Sequence, residues 1–200
     1  MPNLEFENNY SGIIAGVDEA GRGPLAGPVV ACALILNRSQ IPEGLDDSKK
    51  LSKKRRDYLF NHLIDNHNFG LGIIQESVID QVNILQATIL AMKQAISNLR
   101  ESPNIVLVDG NKGFDYPNAN IVPIVKGDSK SLSIAGASII AKVTRDKIME
   151  DLDIEFPQYN WLKNAGYGTK EHLDAIEKYG ICKYHRTSFE PIKSKLLNSK

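Results

Sequence analysis

The sequence predicts an α/β fold with one mixed sheet, and two kinds of apolar segment lead to that prediction. Short connections favour antiparallel pairing of three apolar stretches near the N-terminus, residues 12–18, 29–36 and 69–75. Residues 105–108 (IVLV) are wholly apolar and follow a predicted helix. A strand of this kind is covered on both faces and lies parallel to its neighbours in an α/β sheet. Residues 121–125 supply a fifth strand.

Helical periodicity and capping residues predict four helices around this sheet, at about residues 52–67, 83–102, 132–155 and 170–179. The third of these opens with SIAGASIIAK, and its small residues allow a neighbouring element to approach closely. Gly136 in this run costs helix stability relative to alanine, so we expect a close contact to compensate there.

Composition places the chain among single globular domains but does not identify its partners. The 200 residues are 42% hydrophobic, and 24 basic residues balance 24 acidic ones. Residues 47–56 hold six basic residues and one acid, a local patch that could meet phosphates, although charge alone favours a solvated helix start. Cys32 and Cys182 lie far apart in the sequence, so neither a disulfide framework nor a zinc site is predicted. Cys32 lies in an apolar run and is predicted to be a buried thiol.

The N-terminus lacks a basic-then-apolar leader, and no apolar run approaches 18 residues. We therefore expect a soluble, cytoplasmic protein.

Four acids flank or follow apolar segments and are the candidate site: Asp18, Glu19, Asp109 and Asp146. Sites in open α/β sheets form at the carboxyl ends of strands, where converging carboxylates need a cation to neutralise them. Oxygen ligands favour Mg²⁺ or Mn²⁺ over zinc. Each acid alone is more often a turn residue or a helix cap, so only the set carries weight.

The glycine-rich run that follows the first two acids, within GVDEAGRGP, decides whether both acids can face one site. Neighbours on a strand point to opposite faces, so Asp18 and Glu19 can share a site only where the strand ends and the chain turns. Residues 20–24 supply such a turn. The run matches neither a P-loop nor a dinucleotide-binding fingerprint, and it precedes a strand rather than a helix.

Seven motifs in order along the chain resemble bacterial ribonuclease HII: DEAGRGPLAGPV, DSKKLS, VDG, KGD, IAGASIIAKVTRD, GYGT followed by His172, and HRTSF. They span residues 16 to about 191. One departure is Gly136, where the family more often has alanine. Residues 1–10 carry no family signal. Arg22 between two glycines favours ribonuclease HII over the related ribonuclease HIII.

The resemblance implies a ribonuclease H-like fold, with a mixed five-stranded sheet, flanking helices and a C-terminal helical segment. It implies one domain over residues 1–200, in which residues from about 156 onward form a helical and loop appendage. It also implies hydrolysis of RNA in RNA–DNA hybrids and nicking 5′ to single ribonucleotides in duplex DNA, leaving 3′-hydroxyl and 5′-phosphate ends. A role in ribonucleotide excision repair, no obligate protein partner and a monomeric state are further expectations.

Carried over by motif, the four acids would bind metal, as two Mg²⁺ or Mn²⁺ ions per site. Gly21, Arg22 and Gly23 would recognise the ribose 2′-hydroxyl, and Tyr167 would pack on the neighbouring deoxyribose. Without the resemblance, Tyr167 would be interpreted as a loop anchor. Phosphate contacts are predicted for Lys49, Lys50 and Lys126.

Several other residues keep structural interpretations or stay open. Trp161 is interpreted as packing for the C-terminal segment, and His172 and His185 as hydrogen-bonding residues without chemistry. Arg186 is open to two interpretations, a nucleic-acid backbone contact or a surface salt bridge. Two rival functions also remain at this point, a hybrid-binding module without catalysis and a glycosidase that pairs Asp18 or Glu19 with Asp109.

Overall fold

The structure, a computed structural model, describes residues 1–198, and its centre is one five-stranded sheet in the order β3-β2-β1-β4-β5. The strands are β1 Ile14–Ala20, β2 Val29–Ile35, β3 Asn68–Ile74, β4 Ile105–Asp109 and β5 Asn120–Ile124. The helices are α1 Glu5–Asn8, α2 Lys53–Asn66, α3 Glu76–Val82, α4 Ile84–Ser97, α5 Leu132–Glu155, α6 Trp161–Asn164, α7 Lys170–Tyr179 and α8 Ile192–Asn198.

The sheet is mixed, as predicted. Strands β1, β2 and β3 pair antiparallel, whereas β4 pairs parallel with both β1 and β5. In the register of the central pair, Val17 lies opposite Val108. Because the two strands run in the same direction, Asp18 and Asp109 follow that pair at the same edge of the sheet.

Both faces of the sheet are covered, which explains why β2 is apolar throughout its length. Ala31 and Ala33 belong to a core shared with α4, and the alternate residues Cys32 and Leu34 belong to a core shared with α2 and α5. Cys32 is fully buried, as predicted. Side-chain alternation along a strand produces this division between the two faces.

Glycines let two helices approach the sheet closely. A Cβ atom on Gly16 of β1 would lie 2.2 Å from the main-chain carbon of Ser133 in α5, and one on Gly72 of β3 would lie 1.9 Å from the carbonyl oxygen of Ala91 in α4. The close contact expected at Gly136 is confirmed, because its Cβ would lie 2.4 Å from Cδ2 of Leu34.

The predicted helix at 83–102 is present as α4 but ends earlier, at Ser97, and the structure adds a helix before it. Helix α3 precedes it, and Asn83 separates the two with φ 70° while its side chain accepts hydrogen bonds from the N–H groups of Leu85 and Gln86. Helix α3 has only seven residues, too few for its periodicity to be recognised. The short helices α1, α6 and α8 were not predicted either.

The C-terminal residues pack in a third core around Trp161, which is fully buried. This core includes Tyr159 and Ile176 and also takes in Leu25 and Met149 from earlier in the chain. The prediction that Trp161 packs this segment is confirmed. Among residues 1–198, no helix combines the length and the apolar character needed to cross a bilayer.

Replacing Gly16 by alanine tests the close contact between β1 and α5. The new methyl group would collide with helix backbone, which cannot move away as a side chain can, so we expect G16A to lower the free energy of unfolding by about 2–3 kcal/mol. Urea denaturation measures the change. The matched control is G113A, whose Cβ would lie 3.5 Å from its nearest neighbour and should leave stability unchanged. Equal stability of the two variants would contradict the prediction.

Candidate active site

A cleft of about 390 Å³ opens where β1 and β4 end. Its lining residues are Asp18, Glu19, Ala20, Gly21, Arg22, Gly23, Ser48, Lys49, Asp109, Asp128, Ser138, Lys142, Arg145 and Tyr167. Three of the four predicted acids therefore share one cleft with the predicted substrate loop and with Tyr167.

Each of these three acids is held by a different part of the fold. Oδ1 of Asp18 accepts the N–H of Glu19 at 2.7 Å. Oε1 of Glu19 lies 3.2 Å from Nη1 of Arg22, while its Oε2 is buried without a partner. Oδ1 of Asp109 accepts the N–H of Gly127 at 2.7 Å. Glu19 therefore reaches the same cleft as Asp18, although the two are neighbours on β1.

The cleft concentrates negative charge in a poorly solvated place. Burial raises the pKa of Asp18 well above its usual value, and the nearby carboxylates of Glu19 and Asp109 raise it further. Burial also raises the pKa of Glu19, although Arg22 partly opposes this effect. The carboxylates therefore resist ionisation together unless a cation joins them.

Asp146 lies apart from these three acids. It lines an adjoining cavity of about 210 Å³ on the side of α2, and its Oδ1 accepts a hydrogen bond from Nζ of Lys142 at 2.7 Å. Lys142 itself lines the main cleft, so it links the two cavities. In the structure of residues 1–198, no three His, Cys, Asp or Glu side chains are arranged as a ready-made metal-binding group. The metal-binding role of Asp146 stays a prediction.

The predicted lysines fall in different places. Lys49 lines the cleft, and Lys50 instead pairs with Asp46 at 3.2 Å. Lys126 is exposed and adopts a left-handed conformation with φ 57°, one residue before the Gly127 that binds Asp109. It is not among the residues that line the cleft.

Sequence reasoning missed five polar residues of the cleft: Ser48, Asp128, Ser138, Lys142 and Arg145. The hydroxyl groups of Ser48 and Ser138 lie 3.0 Å apart and are buried, and Ser138 partly offsets the rise in the pKa of Asp18. All five lie inside motifs that were already recognised, DSKKLS, KGD and IAGASIIAKVTRD. Membership of those motifs was the available signal.

The predicted substrate loop, residues 21–23, forms one wall of the cleft. Gly21 has φ 95°, a conformation that side chains rarely adopt, and a Cβ there would lie 2.1 Å from Nε of Arg145. A Cβ on Gly23 would lie 3.4 Å from Cε1 of Tyr167, whose side chain is 48% exposed. The loop and Tyr167 thus lie side by side.

Two buried arginines lie beneath this loop, and one of them corrects the sequence-based interpretations. Arg186 is 0% exposed, so it forms neither a surface salt bridge nor a contact with the nucleic-acid backbone. Its guanidinium group donates to main-chain carbonyls of residues 21, 22 and 27. Arg145 donates in the same way to the carbonyls of residues 26, 28 and 165.

A pair of neutral histidines holds the segment that carries Tyr167. Nδ1 of His172 donates to the carbonyl of Tyr167 at 2.9 Å, and Nδ1 of His185 accepts the N–H of Cys182 at 3.0 Å. The remaining proton of His185 is then on Nε2, which donates to Nε2 of His172 at 3.1 Å. Nε1 of Trp161 donates to the same His172 nitrogen at 3.1 Å. The histidines are hydrogen-bonding residues, as predicted.

The residues present in the cleft fit a divalent cation. Glu19 offers a buried oxygen without a partner, and the raised pKa values of Asp18 and Glu19 mark a site that a positive charge would stabilise. The donors are all oxygen atoms, the ligand type that Mg²⁺ and Mn²⁺ prefer.

A mixed sheet of this order, with carboxylates at the shared end of its two central parallel strands, defines a class, the ribonuclease H-like nucleases. The sequence model of the ribonuclease HII family matches residues 15–192, and the chain belongs to that family. Ribonuclease HII of Rickettsia akari (strain Hartford) is 55% identical over 188 residues, which cover 94% of this chain and 96% of the relative.

Solved structures agree with this assignment. The ribonuclease H2 of Pyrococcus horikoshii OT3 is 27% identical with a TM-score of 0.76, and the match covers 94% of this chain and 99% of that one. Bst ribonuclease HIII in complex with Mn²⁺ matches with a TM-score of 0.75 over 94% of this chain and 70% of that one, and at 18% identity it supports the fold alone.

The predicted fold and enzyme class are confirmed, and the chain is a ribonuclease H, an endoribonuclease that acts on RNA–DNA hybrids. The binding-module and glycosidase hypotheses are not supported.

Acid should destabilise the protein through the histidine pair. Burial lowers the pKa of His172, and burial together with His172 lowers the pKa of His185 to about 4. Below pH 6.5 the unfolded chain binds protons that the folded pair rejects, so we expect about 2 kcal/mol of stability to be lost as the pH falls from 6.5 to 4. Urea denaturation across this range measures the loss.

Asp18 and Glu19 oppose this trend, because their raised pKa values favour the folded state as the pH falls. The informative quantity is therefore the difference between wild type and H185Q, whose stability should fall less steeply with acid. The control is H62Q, on α2 outside the cluster. An H185Q variant with the wild-type pH dependence would contradict the prediction.

Replacing Asp18 by asparagine should stabilise the metal-free protein. The change removes one of the crowded charges and keeps an oxygen for the N–H of Glu19, so we expect D18N to raise the free energy of unfolding in chelator by about 1–2 kcal/mol. The same change should abolish the rise in melting temperature that Mn²⁺ gives the wild type. Asp115 is exposed outside the cleft, so D115N should retain that rise. A destabilised D18N that still responds to Mn²⁺ would contradict both expectations.

Proposed function

We propose that this ribonuclease cuts the strand 5′ to a ribonucleotide, including a single ribonucleotide within duplex DNA, with two Mg²⁺ or Mn²⁺ ions, and leaves 3′-hydroxyl and 5′-phosphate ends. The observation that carries the proposal is the shared cleft, in which Asp18, Glu19 and Asp109 face the loop of residues 21–23. An acid cluster suited to phosphate chemistry thus lies directly beside a loop suited to recognising a sugar.

Asp18, Glu19 and Asp109 are the residues that would hold the ions, together with Asp128, which lines the same cleft. Asp146 lines a different cavity and is paired with Lys142, so it would have to leave that pair to act as a further ligand. When bound, a pair of divalent ions supplies activation of a water molecule and stabilisation of the leaving oxygen. The cleft offers no histidine as a general base, since its lining residues include none.

The neighbouring side chains position the substrate around the acids. Lys49 and Lys142 bring positive charge to the cleft wall, where a scissile phosphate would meet the carboxylates. Lys126 is a further candidate phosphate contact at the periphery. The glycines at 21 and 23 let main-chain groups approach the ribose, whose 2′-hydroxyl both donates and accepts hydrogen bonds. Arg22 is half exposed and can reach a phosphate with its fork of donors.

Tyr167 completes the substrate site. Its exposed ring lies beside Gly23, at a place where it can pack against the sugar that follows the ribonucleotide. The main chain of Tyr167 is held by a hydrogen bond from His172, which positions the exposed ring for such stacking. We infer that the enzyme acts as a monomer without an obligate protein partner, because the proposed site is built from one chain.

Replacing Asp109 by asparagine tests the proposed chemistry. The change removes a charge from the proposed metal site while keeping the oxygen that accepts the N–H of Gly127, so we expect D109N to cut at least 100-fold more slowly. The assay follows a DNA duplex with one ribonucleotide in Mg²⁺, and mass spectrometry of the products identifies their ends. D115N should cut at the wild-type rate.

The three parts of the proposal fail in different ways. Wild-type cutting of D109N would refute the role of the acids. Cutting of long hybrids without a nick at the single ribonucleotide would refute the proposed specificity. Products with a 2′,3′-cyclic phosphate or a 3′-phosphate would refute the proposed reaction.

A further inference from the structure

We propose that Arg186 is a positioning residue that fixes the loop of residues 21–23 in the shape that reads the ribose 2′-hydroxyl. The inference rests on the proposed role of that loop. Arg186 lies underneath the loop, is fully buried and does not line the cleft. It therefore acts on the substrate only through the loop.

The guanidinium group of Arg186 donates hydrogen bonds to main-chain carbonyls. Nη2 donates to the carbonyl of Gly21 at 2.6 Å, and Nη1 donates to the carbonyl of Arg22 at 3.1 Å. Nε and Nη2 donate to the carbonyl of Gly27, on the far side of the same turn, at 2.9 and 2.6 Å. One rigid, planar group thus connects the loop of residues 21–23 to Gly27, at the other end of the turn.

These bonds determine which way the N–H groups of the loop point. In a trans peptide the carbonyl and the following N–H point in opposite directions. Because the carbonyls of Gly21 and Arg22 point inward to Arg186, the N–H groups of Arg22 and Gly23 point away from it. Within the described residues, neither N–H donates to another group of the protein. Two donors that are free for a hydroxyl are thereby held toward the substrate side.

Burying the charged guanidinium group of Arg186 costs free energy, which argues against packing as the only role of this residue. Burial lowers the pKa of Arg186 to about 9, with Arg145 as a further cause. Among the salt bridges of the described residues, none includes Arg186. An apolar side chain of similar volume would fill the same space at lower cost, since a buried charge is rarely the most stable solution. The donors to the loop are what such a side chain would lack.

Asp80 of α3 fixes the segment that carries Arg186. Its two carboxylate oxygens accept four hydrogen bonds at 2.6–2.9 Å, from the N–H and hydroxyl groups of both Thr187 and Ser188. Burial raises the pKa of Asp80, but these hydrogen bonds outweigh that effect and lower it overall. The position of the guanidinium group is therefore set from outside the loop as well as by the loop itself.

The test measures discrimination rather than activity alone. Wild type and R186K are titrated with two duplexes of identical sequence, one with a single ribonucleotide and one entirely of DNA, in Ca²⁺ to prevent turnover. Lysine keeps the charge but cannot reach three carbonyls, so we expect the affinity ratio between the duplexes to fall about tenfold, the weight of one hydrogen bond. Affinity for the all-DNA duplex should change less than twofold.

The matched control is I176A, which removes apolar volume from the C-terminal core without touching the loop. It should lose stability, as Arg186 variants will, and keep the wild-type affinity ratio. Should R186K fail to fold, D80N supplies the second test, because it weakens the anchor of residues 187 and 188 and should lower the same ratio in part. Thermal melts verify that each titrated variant is folded.

The outcomes separate this inference from the proposed function. A folded R186K or D80N with the wild-type ratio overturns the inference, as does an equal loss of affinity for both duplexes. A wild-type enzyme that binds the two duplexes equally refutes the role of the loop itself, and the inference falls with it. A reduced ratio with unchanged binding of the all-DNA duplex supports both.

Discussion

The contact between α5 and β1 is the constraint on which the rest of the molecule depends. Gly16 allows the helix backbone at Ser133 to lie directly against the strand, and Gly136 receives Leu34 from the next strand. This close approach places Ser138 and Lys142 at the cleft that Asp18 lines. The same contact that closes the core therefore builds one wall of the active site, so stability and function share it.

The carboxylates of the cleft, unlike the contact between α5 and β1, destabilise the fold. Asp18, Glu19 and Asp109 meet where β1 and β4 end, because parallel strands bring their carboxyl ends to the same edge. Burial, and then the proximity of the other two carboxylates, raises the pKa of Asp18 and makes the cation-free cleft unfavourable. The molecule tolerates this strain because the surrounding sheet and helices hold the strand ends in place. The cost is concentrated where a cation can relieve it.

Buried polar groups support both the loop of residues 21–23 and the segment that carries Tyr167. Arg186 holds the carbonyls of residues 21 and 22, and the histidine pair holds the carbonyl of Tyr167. Arg145 joins the two sides, since it reaches the carbonyls of residues 26 and 165. Donors from α5 and from the C-terminal segment therefore satisfy these carbonyls.

The sequence by itself determined the mixed sheet, the long helices and three acids of the cleft, because apolar periodicity and strand ends are local signals. The resemblance to one family added the substrate loop and Tyr167. Only the tertiary structure decided the side of α5 on which Asp146 lies, the burial of Arg186 and the separation of α3 from α4 at Asn83. The physical reason is distance along the chain: Arg186 bonds residues more than 150 positions earlier in the sequence, and no local pattern encodes which carbonyls a guanidinium group will reach.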